Sequence, residues 1–479
     1  MGEMRKPGRV TLTIGLVLVS VFATASATAA HAATETSVYD ASATLSGPIT
    51  AGHIIEPESG VTVNLAAHGY VEQEFFASGM AHAFTATSTP ADGRWSIQPS
   101  TSASYKTRII VRRPTTASKF NGTVVVEWMN VSGGESAPDW DYLNPMLIRA
   151  GYAYVGVSAQ ALGVEGGQAI LGVGGPSGGL VHEEPMRYGT LHHPGDQYAL
   201  DMFAQIGRAI RGTSHPAVLG PLHPRHVVAV GESQSAFFLT SFADAIQPST
   251  HAYDGIFIHS RGGGGEGLGG GTGLSGGLRI RTDLTVPGFM SETQTDLTTL
   301  GYAAAQQPNT DRIRTWEVAG TSHADAYIVG NNAKALGCTQ PINDGPQHVV
   351  VQAAFSAFNN WVVHGTAPPS PPPFRLAGTA PVTYKLDKYG NVIGGVRTPA
   401  VDTPISTLSG QAPPGSSVLC SLFGSTTPLS GALLSSLYPT KADYIADYTT
   451  SLDRAIRGGY ILSADRDSLL AAAKKVSIP

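Results

Sequence analysis

The chain has 479 residues, a formal charge of −5, and only 14% charged side chains set among 57 glycines and 32 prolines. No basic stripe runs through it, which excludes a nucleic-acid surface, and the recurring apolar runs exclude a disordered chain. Its two cysteines, Cys338 and Cys420, are too few and too far apart for a zinc site. In an exported chain an isolated pair of this kind reads as one disulfide.

Arg5, Lys6 and Arg9 precede an apolar run over residues 10–22, and Ala30-His31-Ala32 supplies a small-x-small cleavage pattern. The run is too short to span a bilayer, so residues 1–32 are expected to be a cleaved signal peptide of a secreted protein, with no membrane span after it. Residues 33–100 are polar and turn-rich, with alternating runs such as 60–65 (Gly-Val-Thr-Val-Asn-Leu), and predict a β-rich N-terminal extension. Residues 101–366 then alternate strand and helix. Strands are predicted at 107–114, 123–128, 153–158, 227–230, 255–259, 286–291 and 314–318. Apolar residues at helical spacing mark 196–211 (Leu200, Met202, Phe203, Ile206, Ala209) and 349–363 (Val351, Ala354, Phe355, Phe358, Val362). This order predicts the α/β class, a mainly parallel sheet with helices on both faces. Two Gly-rich segments, 162–195 and 261–277, interrupt it at one end of the sheet and are expected to shape a pocket. A proline-rich stretch, 367–373, reads as a stiff linker or wall and leads into a C-terminal segment that runs to 479 and ends in a helix over 463–475.

The predicted strand at 227–230 runs into Gly231-Glu232-Ser233-Gln234-Ser235, and Ala236-Phe237-Phe238-Leu239 opens a helix. A serine on a sharp strand-to-helix turn has its hydroxyl pushed out beside free helix amides, which is the nucleophile elbow usually written G-x-S-x-G. The crowded last position holds Ser235, small enough to fit. A serine hydroxyl needs a base, and the base needs an acid to orient it. His323, just past the last predicted strand, is the candidate base. Asp296, past the strand ending near residue 291, is the candidate acid, with Glu292 at the strand end as the alternate; the order Ser, acid, His along the chain is that of α/β-hydrolases. The oxyanion donors are expected at the backbone amide of Gln234 and at Asn130 or Val131, in the loop after 123–128. No metal or cofactor is expected. His192-His193 have no carboxylate or cysteine at ligand spacing, and residues 231–236 lack the lysine and glycine spacing of a phosphate loop.

Several stretches together resemble one family, the alpha/beta hydrolase domain-containing proteins, a set of bacterial esterases. They are 69–75 (Gly-Tyr-Val-Glu-Gln-Glu-Phe), 105–108 with 111–114, 120–128, 156–160, 187–189 with 193–196, 231–236, 316–320 with 323–325, and 394–399 (Gly-Gly-Val-Arg-Thr-Pro). The resemblance implies an α/β-hydrolase fold and a serine hydrolase with Ser233 as nucleophile and His323 as base. It implies that a serine at the fifth elbow position is normal. The family's acid loop carries a Glu-x-Asp pair; Gln294 stands where the Glu would be, while Asp296 keeps its place, so the departure favours Asp296 and leaves Glu292 open. The expected function is cleavage of a small-molecule or polymer carboxylic ester through an acyl-enzyme. The alternatives are an amidase or peptidase on the same three residues, or a hydrolase-fold binding protein without turnover.

Overall fold

The computed structural model describes residues 37–171, 177–212, 216–271, 273–330, 336–379 and 381–478. The expected signal peptide lies outside them. Nine strands, β1 (Thr44–Ser46), β2 (Tyr70–Ser88), β3 (Ser96–Pro114), β4 (Thr123–Trp128), β5 (Ala153–Val157), β6 (His226–Glu232), β7 (Gly255–His259), β8 (Gly288–Glu292) and β9 (Ile313–Glu317), join in one sheet. Its order is β1-β2-β3-β5-β4-β6-β7-β8-β9. From β5 across to β9 every neighbouring pair is parallel, while β1, β2 and β3 are added antiparallel at one edge.

The runs of Val at 124–126 and 227–230 are buried throughout, as strands must be when both faces of a parallel sheet are covered. Alternate residues go to opposite faces. Val124, Val126, Ala229 and Ile256 meet one layer, which includes the helices α2 (Ala199–Arg211) and α3 (Gln234–Ser241). Val125, Val228, Val230 and Phe257 meet the other, which includes α1 (Pro138–Arg149) and α5 (Gln347–His364); a short helix, α4 (Gln294–Thr298), follows β8. The mainly parallel sheet with helices on both faces expected from the alternation is the one observed, in the α/β-hydrolase architecture that the resemblance implies. Among the described residues no helix is long and apolar enough to cross a membrane.

Two expectations change, and of the two readings of the proline-rich run the wall is the one observed. Residues 60–65 alternate like a strand but form none, because among the described residues no strand or bridge partner runs beside them. Val63 and Leu65 lean on the core instead, and Gly69 (φ 72°) turns the chain into β2. The strand expected at 107–114 is the second half of β3, so the boundary drawn near residue 100 falls inside a continuous strand. The proline-rich run packs on the sheet domain: Trp316 Nε1 donates to the Pro369 carbonyl at 2.8 Å, and Val396 forms a parallel bridge with Val318 beyond the end of β9.

A buried ionic cluster ties the β2–β3 hairpin to this body. Glu74 accepts from Arg108 Nη1 at 2.9 Å, from Arg187 Nε at 2.6 Å and from the Tyr188 hydroxyl at 2.8 Å, and Arg108 also pairs with Glu135. Removing Glu74 would leave two buried guanidinium groups short of a shared counter-charge. Glu74→Ala is therefore expected to cost about 3–5 kcal/mol of stability. The check is a lower urea midpoint at unchanged m-value; an unmoved midpoint would mean that the arginines are satisfied without it.

Candidate active site

At the end of β6 the backbone turns sharply. Ser233 adopts φ 60°, ψ −118°, a conformation that costs a non-glycine residue on the order of 1–3 kcal/mol and persists only where its surroundings over-determine it. Here they do: the Ser233 amide donates to the His259 carbonyl at 3.0 Å, and the Ser233 carbonyl accepts from the Phe237 amide of α3 at 3.2 Å. A Cβ on Gly231 would sit 2.9 Å from Leu239 Cδ1 and 3.1 Å from Ser235 Cβ. The crossing of strand and helix thus demands small residues at both positions, and Ser235 is buried there.

His323 lies on the loop after β9. Its Nε2 is 2.7 Å from Ser233 Oγ and its Nδ1 is 2.7 Å from Asp296 Oδ1. Facing a carboxylate, Nδ1 carries the proton and donates, which leaves Nε2 to accept from the serine hydroxyl. Asp296 is held in turn. It lies in α4, not in an open loop, and forms a capping box with Thr293. The Thr293 amide and hydroxyl donate to Oδ2 at 2.6 and 2.8 Å, which leaves Oδ1 for the imidazole. The C-terminal segment braces this turn, with the Thr295 hydroxyl donating to the Gly410 carbonyl at 2.5 Å.

Of the two carboxylates weighed, Asp296 is the one in contact with His323. Glu292, the last residue of β8, is buried away from the imidazole, and burial, with the charge of Asp296 adding to it, pushes its carboxyl well above the usual range. Burial works against a charged His323. The hydrogen bond and charge of Asp296 outweigh it, Glu232 adds to them, and the imidazole is raised above its ordinary 6.5.

The two amides expected after β4 differ in availability. That of Asn130 is committed to the Ser136 carbonyl at 2.9 Å. That of Val131 donates to the side-chain carbonyl of Gln234 at 3.2 Å. Asn130 acts through its side chain instead, whose Nδ2 donates to the Glu232 carbonyl at 3.1 Å while its Oδ1 accepts from the Ser132 amide at 2.7 Å. The Gln234 amide opens α3, where a first-turn N–H has no intrahelical acceptor.

Ser233 and His323 open onto a cleft of about 500 Å³. Its wall differs from the one expected. Leu171 is lent by the 162–195 segment, but none of the described residues of 261–277 reaches the cleft. That glycine run wraps a buried arginine: Arg261 donates from Nε to the Gly262 carbonyl at 3.1 Å and from Nη2 to the Leu278 carbonyl at 2.5 Å. The wall comes instead from Glu58 and Ser59 near the N-terminus and from Leu419, Leu422 and Phe423 near the C-terminus. The latter follow from the cysteines. Cys420 sits in the helix Val418–Leu422 and is bonded to Cys338, 82 residues earlier. The Ala324 amide, beside His323, donates to the Leu422 carbonyl at 3.1 Å. Read as a constraint on neighbours, the pair Cys338–Cys420 was the signal for this wall. His193, by contrast, is buried with Nε2 2.9 Å from the Ala159 carbonyl, away from the cleft.

The polar side of the cleft is acidic. Glu58, Asp141 and Glu232 line it, and neither Arg nor Lys stands among the lining residues described. Burial raises Asp141 to about 7, against the pull of the Ser59 hydroxyl and of Arg112. The same cause raises Glu58.

A family model described as alpha/beta hydrolase domain matches residues 45–471. Among solved structures, a glucuronoyl esterase from Solibacter usitatus is 11% identical, with 58% of this chain and 84% of that one covered and a TM-score of 0.28. XC6422 from Xanthomonas campestris, described as an a/b serine hydrolase without lid, is 12% identical, with 46% and 80% covered and a TM-score of 0.27. No curated protein matches the chain in sequence.

Proposed function

The chain belongs to the alpha/beta hydrolase domain family, and on that footing we propose that it is a secreted serine hydrolase cleaving carboxylic esters through an acyl-enzyme. The observation that carries the reading is one imidazole placed 2.7 Å from a strained, cleft-facing serine hydroxyl and 2.7 Å from a capped carboxylate. Secretion rests on the signal-like residues 1–32, and the disulfide suits an oxidising compartment.

The chemistry follows from the roles. Ser233 Oγ attacks the ester carbonyl carbon as its proton passes to His323 Nε2, and Asp296 stabilises the imidazolium through Nδ1. The carbonyl oxygen, now an anion, is received by the amides of Gln234 and Val131, once the Gln234 side chain has moved off the Val131 amide. Collapse expels the alcohol, which takes the proton from Nε2. Water then attacks the acyl carbon, gives its proton to Nε2, and Ser233 leaves with that proton restored. Leu419, Leu422 and Phe423 offer the acyl chain an apolar wall. The carboxyls that line the same cleft disfavour a negative charge on the substrate.

A fluorophosphonate probe tests this directly. One probe per chain is expected, on the peptide containing Ser233, together with turnover of p-nitrophenyl esters from acetate to octanoate and poor turnover of an anionic hemisuccinate ester. Folded protein that neither takes up the probe nor hydrolyses any of these esters would favour a binding protein on a hydrolase fold. Faster cleavage of the matching p-nitroanilides would favour an amidase.

A further inference from the structure

We infer that Glu232, the residue before the proposed nucleophile, is a second carboxylate partner of His323, holding the imidazolium from its Nε2 edge while Asp296 holds it from Nδ1. The inference rests on the serine hydrolase reading and gives that site a positioning residue which the three-residue scheme leaves out.

The geometry is the argument. Glu232 Oε1 lies 3.6 Å from His323 Nε2, the nitrogen through which the proton passes, and the Glu232 side chain is only 7% exposed. Nε2 already accepts from Ser233 Oγ at 2.7 Å, so in the resting state Glu232 is a charge neighbour and not a rival hydrogen-bond partner. Its backbone is fixed on both sides. The Glu232 carbonyl is clamped by Asn130 Nδ2, and the residue pairs with His259 at the end of β6 and β7. When the proton leaves Ser233 Oγ for Nε2, the ring gains a positive charge between two carboxylates, in a pocket where water screens little.

The other groups around the pair come from every adjoining element. Asp296 approaches from α4. His259 stands on β7, bonded through Nδ1 to Asp139 of α1 at 2.9 Å. Tyr142 of α1 shares its hydroxyl with Asp325 at 3.3 Å, and Glu58 and Asp141 stand across the cleft. Burial raises the Glu232 carboxyl to about 7, against the pull of His323 and His259. At 3.6 Å the carboxyl and the imidazole are coupled, each responding to the other's proton. The sign is definite. An anionic Glu232 raises the proton affinity of His323, and removing that charge lowers it.

The test is the pH profile of kcat/KM for a p-nitrophenyl ester with Glu232→Gln, which keeps the shape and removes the charge. The acid limb, above 6.5 in the wild type, is expected to move down by about half a pH unit or more, with the plateau falling about three- to tenfold. An acid limb that stays in place overturns the inference even if the plateau falls, because a merely structural loss would not move it. Should Glu232→Gln fail to fold, the wild-type protein decides. The Cε1–H resonance of His323, labelled with ¹³C-histidine and assigned by its loss in His323→Gln, is expected to titrate in two coupled steps; a single step overturns the inference. Failure of the hydrolase reading looks different: no fluorophosphonate label on Ser233, whatever the imidazole titration shows.

Discussion

Ser233→Ala is expected to lower kcat for a p-nitrophenyl ester by about 10⁶-fold, with KM and the thermal midpoint little changed. The hydroxyl is the only atom removed, and the Cβ that makes the positive φ costly is present in both proteins, so the elbow's strain is the same with and without it. Whatever catalysis persists would come from binding and the oxyanion amides acting on a water molecule, roughly 10³–10⁴ over the uncatalysed rate. The measurement is burst and steady-state kinetics beside fluorophosphonate labelling. A variant that keeps both the burst and the label would move the nucleophile elsewhere and end the reading.

The second large effect separates the two acids. Asp296→Asn keeps the shape of α4 but replaces a carboxylate facing His323 Nδ1 at 2.7 Å with a neutral amide. The imidazole then loses its counter-charge at Nδ1, and the tautomer that leaves Nε2 free to accept is no longer enforced. A fall of about 10⁴ in kcat is expected, with little change in KM. Glu292→Gln should stay close to wild type, since burial pushes that carboxyl well above its usual range and Asp296 is the carboxylate bonded to Nδ1. Equal losses in both variants, or the larger loss at Glu292, would overturn the assignment of the acid.

Much of this was legible before any coordinates, and the reason is locality. A buried strand announces itself by four successive apolar residues at 227–230, and the elbow by Gly231 and Ser235, small because a Cβ added at Gly231 would come within 3.1 Å of Ser235 Cβ. One signal went unread, Thr293 three residues before an acidic side chain, which is the capping box that orients Asp296 in a helix and not in a loop. The alternation at 60–65 misled because a two-residue period needs a partner strand to become β-structure, and none is adjacent among the described residues. The stretches around Glu74, Arg108 and Arg187 stood out only as resemblance; their physical content is the buried ionic cluster, which no spacing along the chain reveals.

By itself the sequence determined the α/β class, the elbow and the Ser–acid–His order, because each is written in short-range periodicity or in the backbone demands of a few adjacent residues. Only the tertiary structure decided that Asp296 and not Glu292 meets His323, that Val131 and not Asn130 has its amide turned toward Gln234, that residues 419–423 wall the cleft, and that Glu232 stands against Nε2. Those outcomes depend on distances between segments tens to hundreds of residues apart, which are set when the sheet closes its core and not by any neighbour in the chain.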